Sequence, residues 1–317
     1  MIRIVAACAA CLLSTLALAQ TPQKPMRVIL PVSAGSGVDA IVRAAQSALA
    51  KSLGQAVVVE NLPGAGGITG TATLVKAAPD GTTIAVVSNN HATNPGVYKT
   101  LPYDSLGDIT PIALIGTTPL LLVANSKLPA KNAKELVALA KAKPGTYTYA
   151  SSGNGTIIHL AGAMFADVAG IDLVHVPYKG TGPMVTDLIG GQVDIGVVAL
   201  PAAQGHLKSG ALRAIGVGGT TRSPAAPDVP TIAEQGLAGY DVAGWFAVIG
   251  PARLPPDQVK RIRDAFAAAY ASPEVVEAMA KQGNDINVST PGEAARFMRA
   301  ETERYGALSK KIGIQVD

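Results

Sequence analysis

Apart from a leading segment, the chain has no cysteine. Cys8 and Cys11, the two it contains, both lie within residues 1–19 of the 317. That stretch reads as a cleavable secretory signal. Arg3 supplies the positive start, Ile4 to Leu18 is almost wholly apolar, and Ala17-Leu18-Ala19 is a small-x-small cleavage site. Cleavage is expected before Gln20. The mature chain then has no disulfide, no thiol nucleophile and no cysteine-ligated zinc. Aromatic residues make up only 4%, too few for stacking platforms that hold bases or sugars. Excess charge is scarce too: without Arg3, 25 basic residues face 22 acidic ones, and the only local basic run is Lys310-Lys311. That balance excludes a nucleic-acid footprint. The four histidines, at 91, 159, 175 and 206, show no pair at metal spacing, and no G-x-S-x-G sequence occurs. No metal and no cofactor is expected. The apolar run of the leader is too short for a confident membrane span.

What the sequence does have is alternation. Apolar strand-like runs are expected at 27–32, 56–60, 83–88, 111–124, 147–150, 173–176, 194–199, 212–217 and 243–249. Helical patterns are expected at 38–53, 67–78, 133–142, 156–168, 183–189, 201–208, 256–271, 273–281 and 291–312. This order predicts an α/β fold with mostly parallel sheets covered on both faces. Two stretches echo each other: "PLLLVANSKLPAKNAKELVALAKA" from Pro119 and "WFAVIGPARLPPDQVKRIRDAFAA" from Trp245. Each is a long apolar run, a Leu-Pro step and an amphipathic helix. Read as two crossings between lobes, they assign residues 26–116 and 240–317 to lobe one and residues 117–239 to lobe two.

Two elbows carry the chemistry. Each joins the end of a strand to the start of a helix through small residues: Ser33, Ala34, Gly35, Ser36 and Gly37 with Asp39, and Ser151, Ser152, Gly153, Asn154, Gly155 and Thr156. The first turn of a helix leaves backbone N–H groups unpaired and concentrates the positive end of the helix dipole. Glycine lets a ligand approach that backbone, so such an elbow holds an anion without a cationic side chain. Ordinary capped turns are the plain alternative for either elbow alone. A third cluster, Gly64, Gly66, Gly67 and Gly70, has spacing one residue too long for a dinucleotide fingerprint and is expected to be a close-packed helix start.

Several longer stretches, "GQAVVVENLPGAGG" from Gly54, "YASSGNGTIIHLAG" from Tyr149, "VPYKGTGPMVTDLIGGQVDI" from Val176 and "LKSGALRAIGV" from Leu207, resemble the Bug proteins. These are the periplasmic substrate-binding components of tripartite tricarboxylate transporters. The resemblance runs from about Met26 to the C-terminus. It implies a two-lobe, Venus-flytrap fold of the type II binding-protein class with two crossing hinge strands. It also implies a periplasmic, monomeric, non-enzymatic receptor that hands a small carboxylate to membrane permease subunits or a sensor kinase. Carried over by residue, the backbone at Ser152, Gly153, Gly155 and Thr156 would hold one carboxylate. Ser33, Gly35, Ser36, Gly37 and Asp39 would close over the other end, with Asn89, Tyr178, Thr181 and Gly182 as further lining. The chain departs from the family at Val32, at Ser36 between two glycines, and at Gly196-Val197-Val198-Ala199, where an aromatic or methionine and then an acid are common. Val198 is therefore expected to face an unusually apolar pocket. The expected ligand is a mono- or dicarboxylate of about six to twelve heavy atoms. Aromatic carboxylates lead, ahead of C4-dicarboxylates and acidic amino acids. The alternative is an exported α/β hydrolase-like enzyme acting on a small carboxylate or ester.

Overall fold

The computed structural model describes residues 24–316; the expected signal segment lies outside them. Eleven strands form two sheets. The first sheet has the order β11 (Asp285–Ile286), β4 (Ile109–Thr118), β10 (Gly244–Pro251), β3 (Thr83–Ser88), β1 (Met26–Leu30), β2 (Val57–Asn61). The second has the order β7 (Val174–Pro177), β6 (Thr148–Ser151), β8 (Ile195–Ala199), β5 (Leu120–Asn125), β9 (Leu212–Val217). Most strands in each sheet share one direction. The exceptions are β10 and the short β11 in the first sheet and β5 in the second, which pair antiparallel with their neighbours. Each sheet is the centre of one lobe, and helices cover them.

Strand alternation explains how the first sheet is buried on both faces. Val28 and Leu30 of β1, Ile84 and Val86 of β3, and Phe246 and Val248 of β10 enter one core. Their neighbours Ile29, Ala85, Val87, Ala247 and Ile249 enter the other, which continues into the second lobe. Helix α1 (Gly37–Leu53) closes the first core with Ile41, Val42, Ala45 and Leu49, three and four residues apart, as an amphipathic helix must. Ser36 caps its start through Asp39 N–H, and Gly54, in the left-handed region, ends it.

The first crossing is short. Residues 111–124 are not one strand: β4 ends at Thr118 and β5 starts at Leu120, because Pro119 has no N–H to continue a ladder. The second crossing differs from expectation. The Trp245 run does not cross; β10 lies wholly in the first sheet, between β3 and β4. The chain returns just before it, where Gly218 N–H donates to Leu120 O at 2.7 Å and Val242 N–H to Gly218 O at 2.8 Å. The two crossings thus run side by side.

The remaining helices are α2 (Ile68–Val75), α3 (Asn89–Val97), α4 (Ala133–Ala142), α5 (Ile157–Ala169), α6 (Thr181–Gly190), α7 (Leu200–Lys208), α8 (Pro256–Tyr270), α9 (Pro273–Gln282) and α10 (Pro291–Lys311). The pattern of the sequence gave no sign of α3, which contains Pro95. It is held from outside: at Gly96 a Cβ would stand 2.6 Å from the Cα of Gly306 in α10. Among the described residues no helix is long and apolar enough to cross a membrane.

Candidate ligand-binding site

A cavity of about 500 Å³ lies between the two sheets. Six helices begin at its wall. Their N-cap residues, Ser36 (α1), Gly67 (α2), Ser88 (α3), Thr156 (α5), Gly180 (α6) and Ala199 (α7), all line it. This follows from the topology: parallel strands end on one side of each sheet, and the helices that follow start there. Each helix start carries roughly half a positive charge. Among the described residues no Asp, Glu, Arg or His lines the cavity, and Lys179 is the one wall residue with an ionised side chain. The wall is therefore positive through its backbone. Val32, Val38, Leu120, Ile157, Ile158 and Trp245 add apolar surface.

The expected site residues divide into two groups. Ser33, Ser36, Gly37, Asn89, Ser152, Gly153, Thr156, Tyr178 and Thr181 are at the wall. Gly35, Asp39, Gly155, Gly182 and Val198 are not, each for a physical reason. The carboxylate of Asp39 is buried and spent within its own lobe: it accepts from Gly35 N–H at 3.0 Å, Arg43 Nε at 2.8 Å and Asn61 Nδ2 at 3.0 Å. Gly35 supplies the left-handed turn that this bond requires (φ +77°). Gly182 is exposed on α6. Val198 is fully buried and joins the core, while the next residue along β8, Ala199, reaches the cavity. The apolar surface expected from residues 196–200 comes mostly from elsewhere.

Gly155 serves packing between lobes. A Cβ there would stand 2.4 Å from Val97 Cγ1 of α3, and its φ is +74°. Its N–H donates to His159 Nδ1 at 3.1 Å. Helix α3 reaches across from lobe one to hold the later part of the second elbow: Thr93 Oγ1 donates to Gly155 O at 3.2 Å, and Ile157 N–H donates to Asn90 Oδ1 at 2.8 Å. Tyr98, just beyond α3, donates from its hydroxyl to Asn154 O at 3.4 Å. Asn89 is at the wall but its amide is committed, donating to Ala243 O and Tyr305 OH and accepting from Trp245 N–H. Tyr178 donates to Asp187 at 2.8 Å; burial and that carboxylate push its hydroxyl up to about 12, so it stays neutral.

Beneath the second elbow lies a polar stack. Ser151 Oγ is 2.6 Å from His175 Nε2, His175 stacks on His159 at 3.8 Å between centroids, and Tyr149 covers His175 at 4.8 Å. Burial holds both imidazoles down to about 4, with His175 adding repulsion at His159. Ser151 is fully buried and outside the cavity, so this Ser–His contact offers no nucleophile to a ligand.

The sequence reading missed part of the wall. Pro63, Gly64, Ala65, Gly66 and Gly67 line it. The last four all have positive φ, a left-handed turn closed by Gly67 N–H to Gly64 O at 2.9 Å. The expected close packing is there as well: a Cβ on Gly64 would stand 2.7 Å from Thr69 Oγ1, and one on Gly67 or Gly70 2.9 Å from Pro31. Asn90, Tyr98, Thr118, Lys179 and Trp245 were also missed. The run of glycines after β2 was the one signal for the turn; the others are fixed by contacts distant in sequence.

Two lobes around a positively polarised cavity without carboxylates define a solute-binding protein of the two-lobe class. The pattern of the family described as tripartite tricarboxylate transporter family receptor matches residues 41–314. Protein BugT of Bordetella pertussis (strain Tohama I) is 35% identical over 297 residues, 93% of this chain and 91% of BugT. The structure of an R. palustris protein with adipate superposes with a TM-score of 0.89 at 30% identity, over 93% of this chain and 100% of the other. MatC from Rhodopseudomonas palustris with bound malate superposes at 0.85 with 28% identity, over 90% and 99%. The chain belongs to the tripartite tricarboxylate transporter receptor family.

Proposed function

We propose that the protein is a periplasmic, monomeric receptor that closes its two lobes over a small mono- or dicarboxylate. It delivers the ligand to membrane permease subunits or a sensor kinase and does not transform it. One observation carries the reading: six helix N-caps and, among the described residues, no carboxylate form the wall of the cavity between the lobes. Such a wall stabilises an anion through fixed dipoles, and desolvating a carboxylate there is offset by backbone donors. The relatives with adipate and malate support the ligand class. The wall residues at the two elbows, Ser33, Ser36 and Gly37 with Ser152, Gly153 and Thr156, are the contacts proposed for it. Ligand contacts to both lobes favour the closed arrangement by differential affinity.

Calorimetry of the mature chain against malate, adipate, phthalate and nicotinate, each beside its fully amidated analogue, tests the reading. One site per chain is expected for at least one carboxylate, none for any amide, with the ligand recovered unchanged. Binding of amides as tightly as acids, or steady product release in proportion to protein, would overturn it.

A further inference from the structure

We propose that Lys179 reads a second negative charge on the ligand, so that the receptor selects dianions over monoanions of the same skeleton. This rests on the carboxylate reading above. Lys179 sits in the turn between β7 and α6, and the residues on either side of it are tied to the second elbow. Tyr178 N–H donates to Ser151 O at 2.9 Å, and Gly180 N–H donates to Ser152 O at 3.2 Å. The bond from Tyr178 to Asp187 anchors the same turn from the other side. Gly180 also meets the first elbow: a Cβ there would stand 2.7 Å from Ser33 Oγ. The backbone of Lys179 is thus fixed where the two elbows approach each other.

The charges around the cavity isolate this residue. Arg43, behind the first elbow, is engaged by Asp39 and Asn61. Lys311, at the C-terminal end of α10, is engaged by Asp167. Lys179 is exposed at the wall, and its amine has no hydrogen-bond or ion-pair partner among the described residues. No acid at the wall competes for it.

The two kinds of positive charge at this site differ in what they can hold. Helix starts are fixed in place, so they suit a carboxylate seated at the elbows. A second carboxylate a few bonds away needs a charge that can move to meet it. Lysine provides one: a compact ammonium on a flexible stem of four carbons, which unlike the rigid fork of arginine imposes no single spacing. Diacids of different length are then accepted by the same residue. Its exposure limits the gain and makes it sensitive to salt.

The test uses the mature chain, wild type and Lys179→Gln, with succinate, adipate and phthalate, each beside its monoamide. Wherever a diacid binds wild type, it is expected to bind about fivefold tighter than its monoamide, the upper end for an exposed charge pair. Lys179→Gln should weaken the diacid by about fivefold and leave the monoamide unchanged. Lys179→Arg should keep a preference for the diacid, and raising salt should narrow the wild-type preference. Equal weakening of diacid and monoamide, or no change in either, would overturn the assignment of Lys179 alone. Failure of wild type to bind any acid in either panel would overturn the carboxylate reading, and this inference with it.

Discussion

The two elbows share a local design and differ in what holds them. The first is secured within its own lobe by a charged network: Asp39 gathers Gly35 N–H, Arg43 and Asn61, and Asn61 Nδ2 also reaches Val32 O at 3.2 Å. The second is secured by uncharged groups, partly from the opposite lobe: Asn90, Thr93 and Tyr98 above, and the His159–His175 stack below. The same strand–turn–helix device can therefore be rigid by itself or rigid only when the lobes meet. The order of the second kind depends on contacts between the lobes.

The largest effect expected from this difference is at Gly155. Gly155→Val puts a branched side chain onto Val97 and forces a positive φ on a β-branched residue, so it should cost about 3 kcal/mol of stability. Urea unfolding measures this. From the sequence, Gly155 was expected to hold a ligand carboxylate through its backbone; a variant as stable as wild type would return it to that role and remove α3 from the account of the second elbow.

An intermediate effect is expected in the first elbow. Asp39→Ala removes the charged acceptor shared by Gly35 N–H, Arg43 and Asn61, at a cost of about 2 kcal/mol. Arg43 is half exposed and can turn to water. Hydrogen exchange should show the loss confined to lobe one, around residues 33–39. Loss of protection at residues 151–157 would show that the elbows are coupled within the unliganded protein and would break the distinction drawn here.

A third effect is graded and concerns pH. A free imidazole titrates near 6.5, whereas His159 and His175 are held down to about 4 by burial, as is His91 in α3. Between those values the unfolded chain binds more protons than the folded one. Stability is therefore complete above about pH 6.5 and is lost as pH falls toward 4. Protonating His159 at Nδ1 also removes the acceptor of Gly155 N–H. Melting temperature should fall over that interval, with protection at Gly155 lost before protection at Gly35. A flat profile would mean that the stack adapts to charge.

Much of the fold could be read from the sequence because its signals are local. Alternating apolar runs and the Ser36 and Thr156 caps each act within a few residues. The cavity wall was legible at that same level: Ser33, Ser36, Gly37, Ser152, Gly153 and Thr156 reach it because a helix must start where a strand ends. Asp39 and Val198 were misplaced because orientation depends on partners. Asn61, which helps to hold Asp39, lies 22 residues away, and the direction of Val198 is set by its place in a sheet.

The sequence by itself determined the α/β class and the places where helices begin, since steric limits and helix ends need only neighbouring residues. The tertiary structure decided the rest. Helix α3, "NNHATNPGV", has little helical propensity and a proline within it, and it exists because Asn89, His91, Thr93 and Asn94 are buried against other elements. That helix then takes one donor of the second elbow, Ile157 N–H, through Asn90. The bond joins residues 67 apart in the sequence, and a donor must find an acceptor wherever the chain brings one. No local pattern records that requirement.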